Sequence, residues 1–132
     1  MEYKESPQPE LLIRIPNPNK SADFAVKHET TEFTSLCPLN LTQPDYATIT
    51  IHIVPNDWLV ELKSLKFFLV SFRQCPIFHE AVPSYILECL VKLLKPRRMM
   101  VSGQFNTRGG LYTVVEATYD EETDGVTDVK AV

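Results

Sequence analysis

The chain has 132 residues, 44% of them hydrophobic and 23% charged, with a formal net charge of −4. That length and balance suit one globular domain with a modest core, and no apolar run approaches the roughly 20 residues a membrane-spanning helix needs. An acidic chain is a poor match to phosphate backbones, and three cysteines without close pairing fit a reducing compartment better than a disulfide framework.

No basic-then-apolar leader opens the sequence, so a soluble, cytoplasmic protein is expected. Residues 1–22 carry Pro7, Pro9, Pro16 and Pro18 among polar side chains and read as an extended arm, with Leu11-Leu12-Ile13-Arg14-Ile15 able to dock along an edge. Such an arm either clasps a neighbouring subunit or hangs loosely. Residues 23–119 form the domain. Its first strand is predicted over Ala22 to Phe33, where Phe24, Val26 and Phe33 alternate in part with polar residues. Pro38, Asn40 and Pro44 break regular structure between the apolar run that ends at Cys37 and the strand-like run that opens at Tyr46, which predicts a loop between strands. Tyr46 to Val54 alternates more cleanly, Ile49, Ile51 and Ile53 against Thr48, Thr50 and a solvated His52, and gives the second strand.

Pro55-Asn56-Asp57 is turn chemistry, from which Asn56 or Asp57 caps a helix over Leu59 to Arg73 with Leu59, Leu62, Leu65, Leu69 and Phe72 on one stripe. Gln74-Cys75-Pro76 breaks that helix. A second runs from about Phe78 to Leu94, with Pro83 in or near its first turn and Ile86, Leu87, Leu90, Leu93 and Leu94 buried. Met99 to Phe105 and Leu111 to Tyr119 then form a hairpin connected through Gly109-Gly110. Residues 120–132 are acidic with few large apolar side chains and read as a flexible tail. The order strand, strand, helix, helix, strand, strand predicts an α+β layer, a four-stranded antiparallel sheet with two helices on one face and two open edges.

Cys37 and Asp45 share the turn-rich connection, where a thiol and a carboxyl held on rigid strands could serve one cleft as nucleophile and proton donor. Taken alone, the pair leaves packing and catalysis both open. Cys89 falls beside the apolar stripe of the second helix and reads as packing, Cys75 has no charged neighbour in sequence, and no metal site is expected.

The segments Glu32-Phe33-Thr34-Ser35-Leu36-Cys37-Pro38, Gln43-Pro44-Asp45-Tyr46-Ala47-Thr48-Ile49, Val60-Glu61-Leu62-Lys63-Ser64-Leu65-Lys66, Ser71-Phe72-Arg73, Phe78-His79-Glu80 and Asn106-Thr107-Arg108-Gly109-Gly110 resemble, in this order, the QueF nitrile reductases. That family reduces 7-cyano-7-deazaguanine to 7-aminomethyl-7-deazaguanine with NADPH on the way to the tRNA base queuosine. The resemblance implies the tunnelling fold (T-fold), homo-oligomeric rings with sites at subunit boundaries, and a free-base substrate rather than tRNA. It also implies Cys37 as the thioimide-forming nucleophile and Asp45 as its proton donor. Glu80 would accept the guanine-like N–H donors, with His79 beside it and Val60, Glu61 and Leu62 lining the same pocket. Lys63, Lys66 and Arg108 would hold the NADPH phosphates.

A nitrile carbon accepts hydride poorly, and thiolate addition converts it into a more receptive C=N carbon, so the implied chemistry matches the residue types. No Gly-x-Gly-x-x-Gly follows a strand, which argues against a Rossmann-type cofactor site. The sequence departs from the family in one place that bears on mechanism: Asn40-Leu41-Thr42 lengthens the Cys37–Asp45 connection by one residue and lacks its usual glycine, and Asn40 could take the left-handed conformation in its stead. Two alternatives stand beside reduction: the QueF-like amidinotransferase of archaeosine synthesis, and a non-catalytic deazapurine-binding module.

Overall fold

The computed structural model describes residues 1–124. Six strands and two main helices follow one another as β1 (Arg14–Pro16), β2 (Val26–Cys37), β3 (Asn40–Val54), β4 (Trp58–Val60), α1 (Leu62–Val70), α2 (Val82–Leu94), β5 (Arg98–Arg108) and β6 (Leu111–Asp120). The main sheet runs β2-β3-β5-β6, antiparallel throughout, and both helices lie on one face of it. The α+β T-fold expectation therefore holds.

The core lies between that face and the helices. Ile49, Ile51 and Ile53 of β3 and Val101 and Phe105 of β5 meet Ile86, Leu87, Leu90 and Leu94 of α2, all almost fully buried. Each such side chain removed from water contributes roughly 1.5–3 kcal/mol. The period-3.6 apolar stripe of α2 and the period-2 alternation of β3 are what the packing uses. Pro83 sits in the first turn of α2, where its missing N–H costs nothing. Lys95, left-handed at φ 47°, ends the helix just before Pro96. Gly103 is required by a close approach: a Cβ there would meet the Phe105 ring at 2.8 Å and Pro83 Cγ at 3.1 Å.

Four expectations need correction. The connection between Cys37 and Tyr46 is not a loop: β2 ends at Cys37, a two-residue turn at Pro38-Leu39 follows, and β3 begins at Asn40. Pro44 is tolerated because it pairs with Leu36, whose own N–H and C=O turn away to Cys75 and Ile77, while β5 first pairs with β3 at Ala47. Asn40 is not left-handed. Its Oδ1 instead accepts from the Thr42 N–H at 3.3 Å and the Thr42 hydroxyl at 2.8 Å, bracing residues 41–43 where they bulge out of register. The first helix starts later than its apolar spacing suggests, since Trp58–Val60 pairs with β1, and its N-cap is Glu61 rather than Asn56 or Asp57.

The arm docks on its own chain. Ile13 N–H donates to Ser64 Oγ at 3.0 Å, Glu61 N–H to Ile13 O at 2.8 Å and Gln8 N–H to Ser71 Oγ at 3.0 Å, while the Arg14 guanidinium lies 3.8 Å from the Trp58 ring centroid. Residues 120–124 of the expected flexible tail are ordered elements instead: Asp120 closes β6 and Glu121–Asp124 forms a helical turn. Its remainder, 125–132, lies outside the described residues.

Candidate active site

Two β-bulges build the site. On β2, Thr30 pairs with Ile49 and Phe33 with Ala47, so Thr31 and Glu32 together face one residue of β3. Side chains alternate with period 2, so this extra residue turns Phe33, Ser35 and Cys37, rather than Glu32, Thr34 and Leu36, toward the helix-covered face. The Glu32 N–H donates to Thr30 Oγ1 at 3.2 Å across the bulge. On β5, Phe105 pairs with Thr113 and Arg108 with Leu111, so Asn106 and Thr107 together face one residue of β6. This second bulge turns Arg108 to the same face. Gly109 and Gly110, at φ 56° and 80°, then supply the two positive-φ positions of the tight turn.

Asp45 stands between them on β3, its side chain only 3% exposed. Arg108 Nη1 donates to its Oδ1, and His79 Nε2 lies 3.3 Å from its Oδ2. The His79 ring stacks on Phe105, centroids 4.0 Å apart and planes within 9°. His79 opens the short turn His79–Ala81 ahead of α2, and that turn is tied to β2 through the parallel bridge between Leu36 and Pro76. Cys37, half-buried, ends β2 on the same face as Asp45. A half-buried thiol thus shares one face with a buried carboxylate that is held by a guanidinium and an imidazole. A carboxylate so held and shielded from bulk water suits proton transfer to a ligand on that face.

A second region lies between α1 and the first half of β2, a groove of about 640 Å³ floored by Phe33, Ile49, Ile51 and Leu65. Lys63, Lys66 and Arg73 line it from α1 and the turn after it, with Leu62 at its rim. Lys66 and Arg73 are seven residues apart, two helical turns, a spacing visible in the sequence but passed over for Arg73. Glu29 and Glu32 of β2 lie at the groove's rim, and Glu29 is paired with Lys27 at 3.7 Å. His28 also lines the groove, and burial pulls its pKa below the ordinary value.

Of the residues singled out from sequence, Asp45 and His79 come together, Cys37 lies on the same face, and Lys63 and Lys66 share the groove. Arg108 joins the first group, paired with the carboxylate rather than with the two lysines. Glu61 caps α1, both carboxylate oxygens accepting, from Lys63 N–H at 2.7 Å and Ser64 N–H at 2.9 Å. Val60, expected in the substrate pocket, points into the core at 7% exposure, because strand pairing with Arg14 turns it inward. Glu80 is exposed in the single chain, at the turn beside His79. Ser35 and Phe105 were missed, since their placement follows from the bulge and from cross-strand stacking.

The family model described as "QueF-like protein" matches residues 44–124. A protein of Thermomicrobium roseum named NADPH-dependent 7-cyano-7-deazaguanine reductase is 52% identical over 86% of this chain and 88% of the relative. Proteins of the same name from Ruegeria pomeroyi and Chloroherpeton thalassium are 47% and 42% identical, over 83% and 87% of this chain and 70% and 98% of theirs. Among solved structures, the apo archaeosine synthase QueF-Like superposes with a TM-score of 0.66 at 21% identity, covering 71% of this chain and 91% of that one, a likeness of fold. With three such relatives matched over most of its length and a family model spanning β3 to β6, the chain belongs to the QueF family.

Proposed function

We propose that this chain reduces the nitrile of 7-cyano-7-deazaguanine to the aminomethyl group with NADPH, through a covalent thioimide on Cys37, in queuosine biosynthesis. The observation that carries this reading is the pair of bulges that brings Cys37 and Arg108 to the face where Asp45 and His79 already meet. Sulfur adds to the nitrile carbon as the thiol proton passes through the His79–Asp45 pair to the nitrile nitrogen, so thiol and nitrile together give the thioimide with atoms and charge balanced. Asp45 delivers that proton, and His79, 3.3 Å away, restores it. Arg108 holds the carboxylate in place between events. Glu80, exposed beside His79, accepts the paired N–H donors of the deazaguanine edge once a neighbouring subunit closes over it.

The α1 groove fits a phosphate-bearing dinucleotide: Lys63, Lys66 and Arg73 offer cations along one wall and the floor is apolar. Bound there, NADPH would supply the hydride. Lys63 and Lys66 orient its phosphates, and the Glu61 cap fixes the first turn of the helix that carries both lysines. The open edges of β2 and β6, with Leu111 and Tyr112 exposed at 74% and 61%, suit edge-to-edge assembly into a ring whose sites lie at the joins. Free thiols at Cys37, Cys75 and Cys89 fit a cytoplasmic setting, and the acidic chain fits a free base rather than tRNA.

Mass spectrometry of the protein mixed with 7-cyano-7-deazaguanine and no cofactor is expected to show one adduct, on Cys37. An unmodified Cys37 at saturating nitrile would overturn the mechanism. With cofactor added, consumption of about two NADPH per nitrile marks the reductase, the stoichiometry of two successive hydride steps. Lys63→Ala, Lys66→Ala and Arg73→Ala are expected to raise the KM for NADPH while leaving adduct formation unchanged. Product formed from ammonia and nitrile-bearing tRNA without NADPH loss would instead mark an amidinotransferase.

A further inference from the structure

Among the described residues, one buried side-chain polar atom has no hydrogen-bond partner: the hydroxyl oxygen of Ser35, a residue 0% exposed. A hydroxyl shut away from water and unpaired costs stability, so its retention calls for a second state in which it is paired. Its position narrows what that partner is. Ser35 lies directly opposite Asp45 in the β2–β3 ladder and two residues before Cys37 on the same face. The N–H and C=O of Leu36 point away from β3, to Cys75 O and Ile77 N, so the neighbouring Ser35–Asp45 pair is the one that exchanges both backbone bonds with β3. Side chains facing each other in this way have Cβ atoms about 4.5–5.5 Å apart, within reach of a single χ1 rotation of serine.

The two partners that now hold the Asp45 carboxylate come from outside this pair, and both are accessible. The Arg108 side chain is 45% exposed and that of His79 is 21% exposed, so a ligand can draw either away. Ser35 cannot be drawn away. Building on the reading of Asp45 as proton donor, we propose that Ser35 is a positioning residue: its hydroxyl donates to the Asp45 carboxyl when Arg108 or His79 releases it, and keeps that carboxyl aimed at the nitrile adduct on Cys37.

The test follows the rate of adduct formation between the intact protein and 7-cyano-7-deazaguanine by quenched-flow mass spectrometry, for wild type, Ser35→Ala, Asp45→Asn and the double variant. Affinity for 7-deazaguanine, which lacks the nitrile, and the thermal midpoint are measured alongside. Ser35→Ala is expected to slow adduct formation about tenfold or more, with affinity within about twofold and a midpoint no lower than wild type. In the Asp45→Asn background the same change is expected to add nothing, because the two act as one unit. An unchanged rate in Ser35→Ala, a slowing that repeats in full in the Asp45→Asn background, or a slowing matched by lost affinity or a lower midpoint would each overturn the inference. Failure of the underlying mechanism looks different: wild type itself would form no adduct.

Discussion

Cys37-Pro38 ends β2 and Cys75-Pro76 leaves the turn after α1, and backbone bonds from Leu36 N–H to Cys75 O at 3.0 Å and from Ile77 N–H to Leu36 O at 3.1 Å bind the two segments together. The dipeptides are the same and the surroundings are not. Cys75 is 1% exposed, its Sγ donates to Ser71 O at 3.2 Å, and burial pushes its thiol up to about 11 from 9.0. Cys37 is half-buried and shares its face with Asp45. Reactivity in a cysteine follows access and charged neighbours, so Cys75 is placed as a packing residue while Cys37 is the more accessible of the two thiols.

The sharpest way to break this comparison is to remove each thiol in turn. Cys37→Ala is expected to abolish adduct formation altogether in intact-mass spectra, whereas Cys75→Ala is expected to keep the adduct and lose about 1–3 kcal/mol of stability in urea unfolding. Loss of the adduct in Cys75→Ala with the fold intact would reverse the assignment.

Next in size is the carboxylate that distinguishes the two surroundings. Asp45→Asn is expected to slow adduct formation about 10²–10⁴-fold, the range for a positioned proton donor, with a smaller effect on affinity for 7-deazaguanine. A variant that changes affinity alone would make Asp45 a binding group.

A smaller effect is expected from behind the site. Gly103→Ala forces the Phe105 ring aside, since a Cβ would meet it at 2.8 Å, and the His79 ring stacked on it must follow. The expected cost is about 1–3 kcal/mol in urea, typical of overpacking, accompanied by slower adduct formation. An unchanged urea midpoint would show that the sheet relaxes around the added methyl.

The mildest measurement sharpens the comparison without a mutation. Iodoacetamide at neutral pH is expected to label Cys37 and spare Cys75. Cys75 is held as a neutral thiol in the folded state, so its contribution to stability is fully present below the ordinary value of 9.0 and is lost as pH rises toward about 11. Labelling of Cys75 is expected to emerge over that window. Equal labelling of both at pH 7 would remove the distinction.

Apolar periodicity was enough to read the order of the four main-sheet strands and the two main helices and most of the core, though not β1 and β4, because the stripe of α2 and the alternation of β3 are local patterns that burial reinforces. The motifs that hold Asp45 and His79, which the structure pairs, were legible as an ordered series. Boundaries failed where pairing overrode local signals: Pro44 sits in a strand because its partner Leu36 bonds elsewhere, and Trp58–Val60 is a strand because the arm lies against it. The same pairing turns Val60 into the core, and Glu61 caps α1 while lining the groove.

What the sequence determined by itself is the set of elements and the chemical groups at hand, both written in residue type and short-range spacing. Which of those groups share a face was decided only by the tertiary structure. Thr31-Glu32 and Asn106-Thr107 carry no local mark of a bulge, yet each extra residue shifts its strand by half a pleat and turns Cys37 and Arg108 toward Asp45. A strand read alone has no register. The register comes from the neighbouring strand, through backbone bonds between residues far apart in the chain, and it fixes where the thiol points.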